Sequence, residues 1–209
     1  MPDLSDNTLT ERGLPPSGAG RVLVVACGAL AHEIVALKGL NGWDHLDLQC
    51  LPAILHNHPE KITDAVVAAV EEHRDDYGRV FVAYADCGTG GYLEAACKKL
   101  GVEMIRGPHC YAFFEGVDAF EKRGEITSFY LTDFLARQFD AFVWKPLGLD
   151  RHPQLLEMYF GHYETLVYMA QTDDPALTAK AEACAERMGL TFERRFTGYG
   201  ELATALSNA

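Results

Sequence analysis

The chain has little of what marks a membrane, secreted or nucleic-acid-binding protein. No apolar run approaches the ~20 residues needed to cross a bilayer. Residues 1–20 have neither the basic start nor the apolar core of a signal peptide. Lys and Arg number 18 against 30 Asp and Glu, and the net charge of −12 removes any broad attraction to nucleic acid or an anionic membrane. The expectation is a soluble, cytoplasmic protein whose thiols are reduced. Its six cysteines are too sparse for a disulfide scaffold, and none forms a C-x-x-C pair, which leaves out zinc ribbons and thioredoxin motifs. The glycine-rich stretch Asp86-Cys87-Gly88-Thr89-Gly90-Gly91 is followed by no Gly-Lys-Ser/Thr, so it is not a Walker A loop. The G-x-G-x-x-G spacing of a dinucleotide fingerprint is also missing.

What is present is a regular alternation. Residues 1–20, polar and rich in Pro, Gly and Ser, read as a flexible tail. Strand-like runs then fall at 21–26, 45–51, 80–84, 102–105, 126–131, 164–170 and 191–196. Helical stretches lie between them at 30–40, 60–77, 92–100, 112–122, 134–142, 153–160 and 175–188, with a final one to about Leu206. The pattern predicts one α/β domain over 21–209. It is Rossmann-like, a mostly parallel sheet of about six to seven strands with helices on both faces.

Ligand sites in such sheets form in the loops beyond the carboxyl ends of the strands. Those loops hold Cys27, then His56 and His58, then Asp86 and Cys87, then His109 and Cys110, followed by Thr132 and Asp133, Gln171 to Asp173, and Tyr199. Cys50 lies within a strand, and Cys97 and Cys184 within helices, where packing explains a cysteine. Cys27, Cys87 and Cys110 are different: three cysteines in three separate strand-to-helix turns, each beside Gly or His, point to a shared site. Three thiolates suit Zn²⁺, with His109, His56 or His58 as a fourth ligand, or an iron–sulfur cluster with one open iron. His56 and His58 equally suit a helix cap or a solvent-facing loop. The turn Gly88-Thr89-Gly90 before a helix offers backbone N–H groups to a ligand or cofactor. Without a metal, Cys110 beside His109 would be an activated nucleophile. Cys110, Asp86 and His56 are therefore the candidate catalytic residues. Arg106 could meet an anionic group, and Tyr111, Phe113 and Phe114 read as core.

The segments Ala26-Cys27-Gly28-Ala29, Leu55-His56-Asn57 with Pro59-Glu60-Lys61, Asp86 to Gly90, His109-Cys110-Tyr111, Phe129 to Phe134 and Gly198-Tyr199-Gly200 together resemble the Domain of Unknown Function 1638 family. The resemblance covers nearly everything from Arg21 to Leu206. It implies an association with corrinoid-dependent methyl transfer and one-carbon metabolism, and so contact with a corrinoid or a methyltransferase protein. Thiolate-bound zinc agrees with that chemistry, because a metal keeps sulfur anionic at neutral pH. Three functions stay open. One is a metal-binding protein with Zn or an Fe–S cluster on Cys27, Cys87, Cys110 and His109, serving methyl transfer as an enzyme or an accessory. Another is a metal-free cysteine enzyme acting on a small-molecule substrate. The last is a non-catalytic partner of a corrinoid or methyltransferase protein.

Overall fold

The structure, a computed structural model, describes residues 4–209. These gather into two compact units: one holds the chain up to Phe113 together with Glu201–Ala209, the other Phe114–Gly200. Each has its own parallel sheet, four strands in the first and three in the second. The fold is thus α/β and Rossmann-like, but the strands expected in one sheet of six to seven are divided between two. None of the helices among the described residues is long and apolar enough to cross a membrane.

The first unit contains α1 (Asp6–Glu11), β1 (Val22–Cys27), α2 (Ala31–Asn41), β2 (Leu46–Leu51), α3 (Pro59–His73), β3 (Arg79–Ala83), α4 (Tyr92–Leu100) and β4 (Glu103–Met104). Short 3-10 turns, Gly28–Leu30 and Ala53–Asn57, follow β1 and β2. The strand order is β2-β1-β3-β4, every pair parallel. β1 is the centre of this core: Leu23, Val24, Val25, Ala26 and Cys27 are all buried. An unbroken apolar run is what a parallel strand covered on both faces requires. α3 opens on Pro59 and buries Ile62, Val66, Ala69 and Val70, a spacing that puts them on one helical face. From β1 the chain first adds β2 on one side, then β3 on the other. The carboxyl end of the β1/β3 pair is therefore a topological switch point, where open α/β sheets bind ligands.

Residues 4–20 do not behave as the flexible tail expected of them. α1 buries Leu9 completely and packs against both 3-10 turns, and Leu14 pairs with Cys50 in an isolated antiparallel bridge. His32 Nε2 meets Asp6 Oδ1 at 3.0 Å. Gly28 has no room for a side chain here, since a Cβ would lie 2.5 Å from the Leu9 carbonyl oxygen. Farther along, the buried Asp47 carboxylate accepts hydrogen bonds from Ser17 N–H and Oγ, Gly18 N–H, Leu48 N–H and the Tyr77 hydroxyl. Composition suggested disorder, but a few apolar residues and one carboxylate suffice to dock the segment.

The chain leaves through α5 (Ala112–Glu115). The second unit continues with α6 (Val117–Arg123), β5 (Ser128–Leu131), α7 (Asp133–Arg137), α8 (Leu155–Phe160), β6 (Thr165–Ala170), α9 (Pro175–Met188) and β7 (Thr191–Phe196), before α10 (Gly200–Ser207). The strand order is β5-β6-β7, again parallel. The single helix expected at 112–122 is broken at Gly116, whose φ of +95° lies outside helical space. The helix expected at 134–142 ends at Arg137, and a wider π-type turn follows at Asp140–Trp144.

Candidate functional site

The site forms in the first unit because β3 does not stop pairing where its regular ladder ends. Asp86 N–H donates to the Gly107 carbonyl at 3.0 Å, and Cys87 N–H to the Pro108 carbonyl at 2.9 Å. These two bonds lay the segment after β3 alongside the segment after β4. Their consequence is that Cys87 Sγ and Cys110 Sγ, 23 positions apart, touch at 3.2 Å. Cys27 ends β1, which pairs with β3 up to Ala26 and Ala83, so it borders Tyr84 and belongs to the same neighbourhood. Its thiolate would feel the charge of Cys87, and that of Cys110 would feel Cys27. Two cysteines far apart in sequence thus meet at the switch point, and Cys27 lies close enough for its charge to be felt by them. Among the described residues, however, no group of three or more His, Cys, Asp or Glu side chains is placed to hold a metal ion.

The protonation of the three sulfurs differs. Burial pushes the Cys27 thiol up to about 12. Cys87 is held below the ordinary thiol value, first because Cys110 donates a hydrogen bond to it. Cys110 is correspondingly raised by that bond and then by burial. Of the pair, Cys87 carries the negative charge more readily. The two sulfurs share one contact, so the expected nucleophile Cys110 and its neighbour Cys87 act as a pair.

Cys87 also has φ +47°, the one positive-φ residue among the described residues that is not glycine. The left-handed conformation costs a side-chain-bearing residue about 1 kcal/mol or more. Asp86 compensates. Its carboxylate accepts from Thr89 Oγ1 at 2.8 Å, Gly90 N–H at 3.1 Å and Gly91 N–H at 2.6 Å. Burial would raise its pKa, but these bonds outweigh burial and hold it below its usual value. Gly88, at φ +85°, sits close to Pro59 at the head of α3, where a Cβ would come within 3.3 Å of the proline ring. Asp86 therefore occupies the place where the turn's N–H groups could have cradled an anion. Of the residues expected to bind a cofactor, Gly88, Thr89 and Gly90 form a turn closed on its own aspartate. Asp86 itself, expected as a base or an orienting group, is engaged through both carboxylate oxygens in shaping that turn.

His109 and His56 are both near. The rings of His109 and Tyr111 stack, with centroids 4.9 Å apart. Burial lowers the His109 pKa, partly opposed by Asp86. His56 shows an exposed edge, yet the protein around it desolvates the ring enough, with His109 close by, to lower its pKa as well. Both rings are thus favoured in the neutral form, His109 next to Cys110 along the chain and His56 close to His109. His58 is farther out, with Nδ1 3.5 Å from the Glu60 carboxylate, both groups exposed.

Two residues of the site escaped the sequence reading. Tyr84 closed an apolar run and looked like core. It is buried, its hydroxyl has no hydrogen-bond partner, and the titratable groups that act on it are the thiols of Cys27, Cys110 and Cys87. The hydroxyl lies beside the Cys27 sulfur without closing a hydrogen bond in proper geometry. The other is Glu33, buried in the first turn of α2 near Cys27 and Cys50. A signal for it existed: Glu33 falls on the same helical stripe as Leu30, Ile34 and Leu37, an odd place for a carboxylate. Arg106 lines a cleft of about 570 Å³ together with Asp86, Glu94, Cys97, Lys98, Glu103 and Gly107.

Thr132, Asp133, Gln171, Thr172 and Tyr199 lie in the second unit. Thr132 caps α7 as expected, its hydroxyl accepting from Leu135 N–H. The buried Asp133 carboxylate accepts from the Tyr168 hydroxyl, from Gln171 N–H, and from both Thr172 N–H and Oγ1.

A family model described as "Protein of unknown function (DUF1638)" matches residues 50–206. Neither the curated proteins nor the solved structures contain a match.

Proposed function

The chain belongs to the DUF1638 family, and from the geometry of its cysteine cluster we propose that it holds a thiophilic metal in the service of methyl transfer and one-carbon metabolism. The metal is Zn²⁺ or an iron–sulfur cluster, and the protein acts as an enzyme or as an accessory to a corrinoid methyltransferase system. The observation that carries this reading is the contact of Cys87 and Cys110 at the switch point, with Cys27 close by, around the unpartnered Tyr84 hydroxyl. A buried hydroxyl without a partner costs about 1–3 kcal/mol.

The residues present fit such a group. Cys87 and Cys110 supply the close pair and Cys27 the third sulfur. His109 or His56, each favoured as a neutral imidazole, supplies the fourth donor. Sulfur-rich ligation selects zinc or iron–sulfur over Mg²⁺ or Ca²⁺. When bound, the metal supplies the positive charge that keeps buried sulfur anionic at neutral pH, the form that accepts a methyl group. The chain's own part is positional. Asp86 locks the glycine turn that carries Cys87, and Tyr84 offers one hydrogen bond inside the cluster.

Metal analysis of purified protein, with an absorption spectrum, tests the proposal. The expected result is a stoichiometric metal, colourless for zinc or brown for iron–sulfur, that is lost in Cys87→Ser and Cys110→Ser. Wild-type protein made anaerobically with zinc and iron supplied, and still free of metal, would overturn it. The Cys87–Cys110 contact favours a second reading, a metal-free cysteine enzyme on a small molecule with Cys87 as nucleophile.

A further inference from the structure

Cys87 and Cys110 do something that three metal ligands need not do: their sulfurs are in direct contact, at 3.2 Å. A disulfide bond is about 2.05 Å long, so about an ångström of approach separates contact from bonding. Both residues sit on loop segments, neither within a helix or a strand. The two backbone bonds from Asp86 and Cys87 to Gly107 and Pro108 hold those segments side by side. The other four cysteines, Cys27, Cys50, Cys97 and Cys184, are buried. Access comes from the Cys87 side. Gly88, Gly90 and Gly91 are exposed, and nothing lies within 4 Å of where a Cβ would stand on Gly90 or Gly91.

We propose that Cys87 and Cys110 are a reversible dithiol–disulfide couple that exchanges with small disulfides, Cys87 attacking and Cys110 resolving. The Cys87 thiolate attacks one sulfur of a small disulfide, RS–SR. A Cys87–SR mixed disulfide forms, and the displaced RS⁻ takes the proton that Cys87 gave up. Cys110 then loses its proton and attacks Cys87 Sγ. The Cys87–Cys110 bond forms, and the second RS⁻ leaves as RSH. Two protein thiols are oxidised and one small disulfide is reduced to two thiols, so electrons and protons balance. The couple shares its sulfurs with the metal reading but does not require it. Once bonded to each other, the two cysteines no longer supply thiolates, so oxidation would release a bound metal.

The test uses the full chain, as purified and after chelator treatment, with oxidised glutathione as the probe. In wild type, two of the six thiols should disappear, and protease digestion should yield one peptide pair linked through Cys87 and Cys110. Cys110→Ser and, independently, Cys110→Ala should stop at the first step and keep one glutathione on Cys87. Cys87→Ser should leave Cys110 unmodified. Persistence of both thiols in wild type, a stable glutathione adduct there, or linkage through any other cysteine would overturn the couple. Wild type is itself a full test, so a poorly folding variant does not obscure the answer. Wild type that takes up no metal yet forms the disulfide would sink the metal proposal alone, and wild type that binds metal yet keeps both thiols after chelator treatment would sink the couple alone.

Discussion

The carboxyl ends of the two sheets can be set side by side. In the second unit the Asp133 carboxylate receives four hydrogen bonds, and the Gln171 side chain accepts from Asp133 N–H while donating to the Met169 carbonyl. Every group of that network is matched inside the protein. In the first unit the equivalent edge carries a strained cysteine, two sulfurs in contact and a buried tyrosine hydroxyl without a partner. Fully matched polar groups hold a fold together, whereas unmatched ones hold places for something else. The same strand-to-helix architecture thus carries a closed polar network at one edge, and a thiol pair with an unmatched hydroxyl at the other.

The sharpest way to break this contrast is Asp133→Ala against Cys87→Ser. The first strands the Tyr168 hydroxyl and the Gln171 N–H in the interior and frees the N–H of the exposed Thr172. It should cost about 3 kcal/mol or more in chemical denaturation. Cys87→Ser in metal-free protein should cost less than about 1 kcal/mol. Equal losses would show that the thiol edge is structural too.

Asp47 extends the contrast to the amino end of the first sheet. Burial alone would raise its pKa, but hydrogen bonds from Tyr77, Ser17 and Gly18 bring it down to about 2. An unfolded aspartate titrates near ~3.9. The folded value is the lower one, so this carboxylate contributes its full stability above the unfolded pKa and loses it as pH falls through about 2. Asp47→Asn should weaken the protein at neutral pH and flatten the loss of stability over that acid window, as read from unfolding curves at stepped pH. An unchanged acid profile would remove Asp47 from its place as the tie for residues 17 and 18.

The smallest effect has the opposite sign. Tyr84→Phe deletes the unpartnered hydroxyl and should stabilise the metal-free protein by about 1 kcal/mol, seen as a higher melting temperature. The gain should vanish once a ligand fills the cluster. A destabilised Tyr84→Phe without ligand would mean that the hydroxyl already has its partner, and the two edges would then be alike.

Much of the fold was legible along the chain. Apolar runs such as residues 22–27 and 165–170 have no other good use than covered parallel strands. Pro175 after Asp174 and Gly189 after Met188 bound α9 as such residues should. The count of sheets was not legible, because alternation of strand and helix is the same whether strands join one sheet or two. That Cys87 and Cys110 fall in loops at one edge was readable from loop position, but their direct contact was not, since it depends on backbone pairing between those loops. Asp86 looked like a reactive group because a short loop carboxylate and a turn-capping carboxylate have the same spelling. Tyr84 was hidden because a hydroxyl at the end of an apolar run looks like core until its partner is found missing.

The sequence alone determined the strand-and-helix alternation, the end of each strand on which reactive residues fall, and the acidic net charge. These follow from local periodicity and composition, which any reader of the chain can count. The tertiary structure alone decided that the strands split into two sheets, that the amino-terminal segment docks, and that Cys87 meets Cys110 beneath Tyr84. Those outcomes depend on which backbone groups pair across long stretches of chain, as when Cys87 N–H finds the Pro108 carbonyl, and no local pattern encodes that choice.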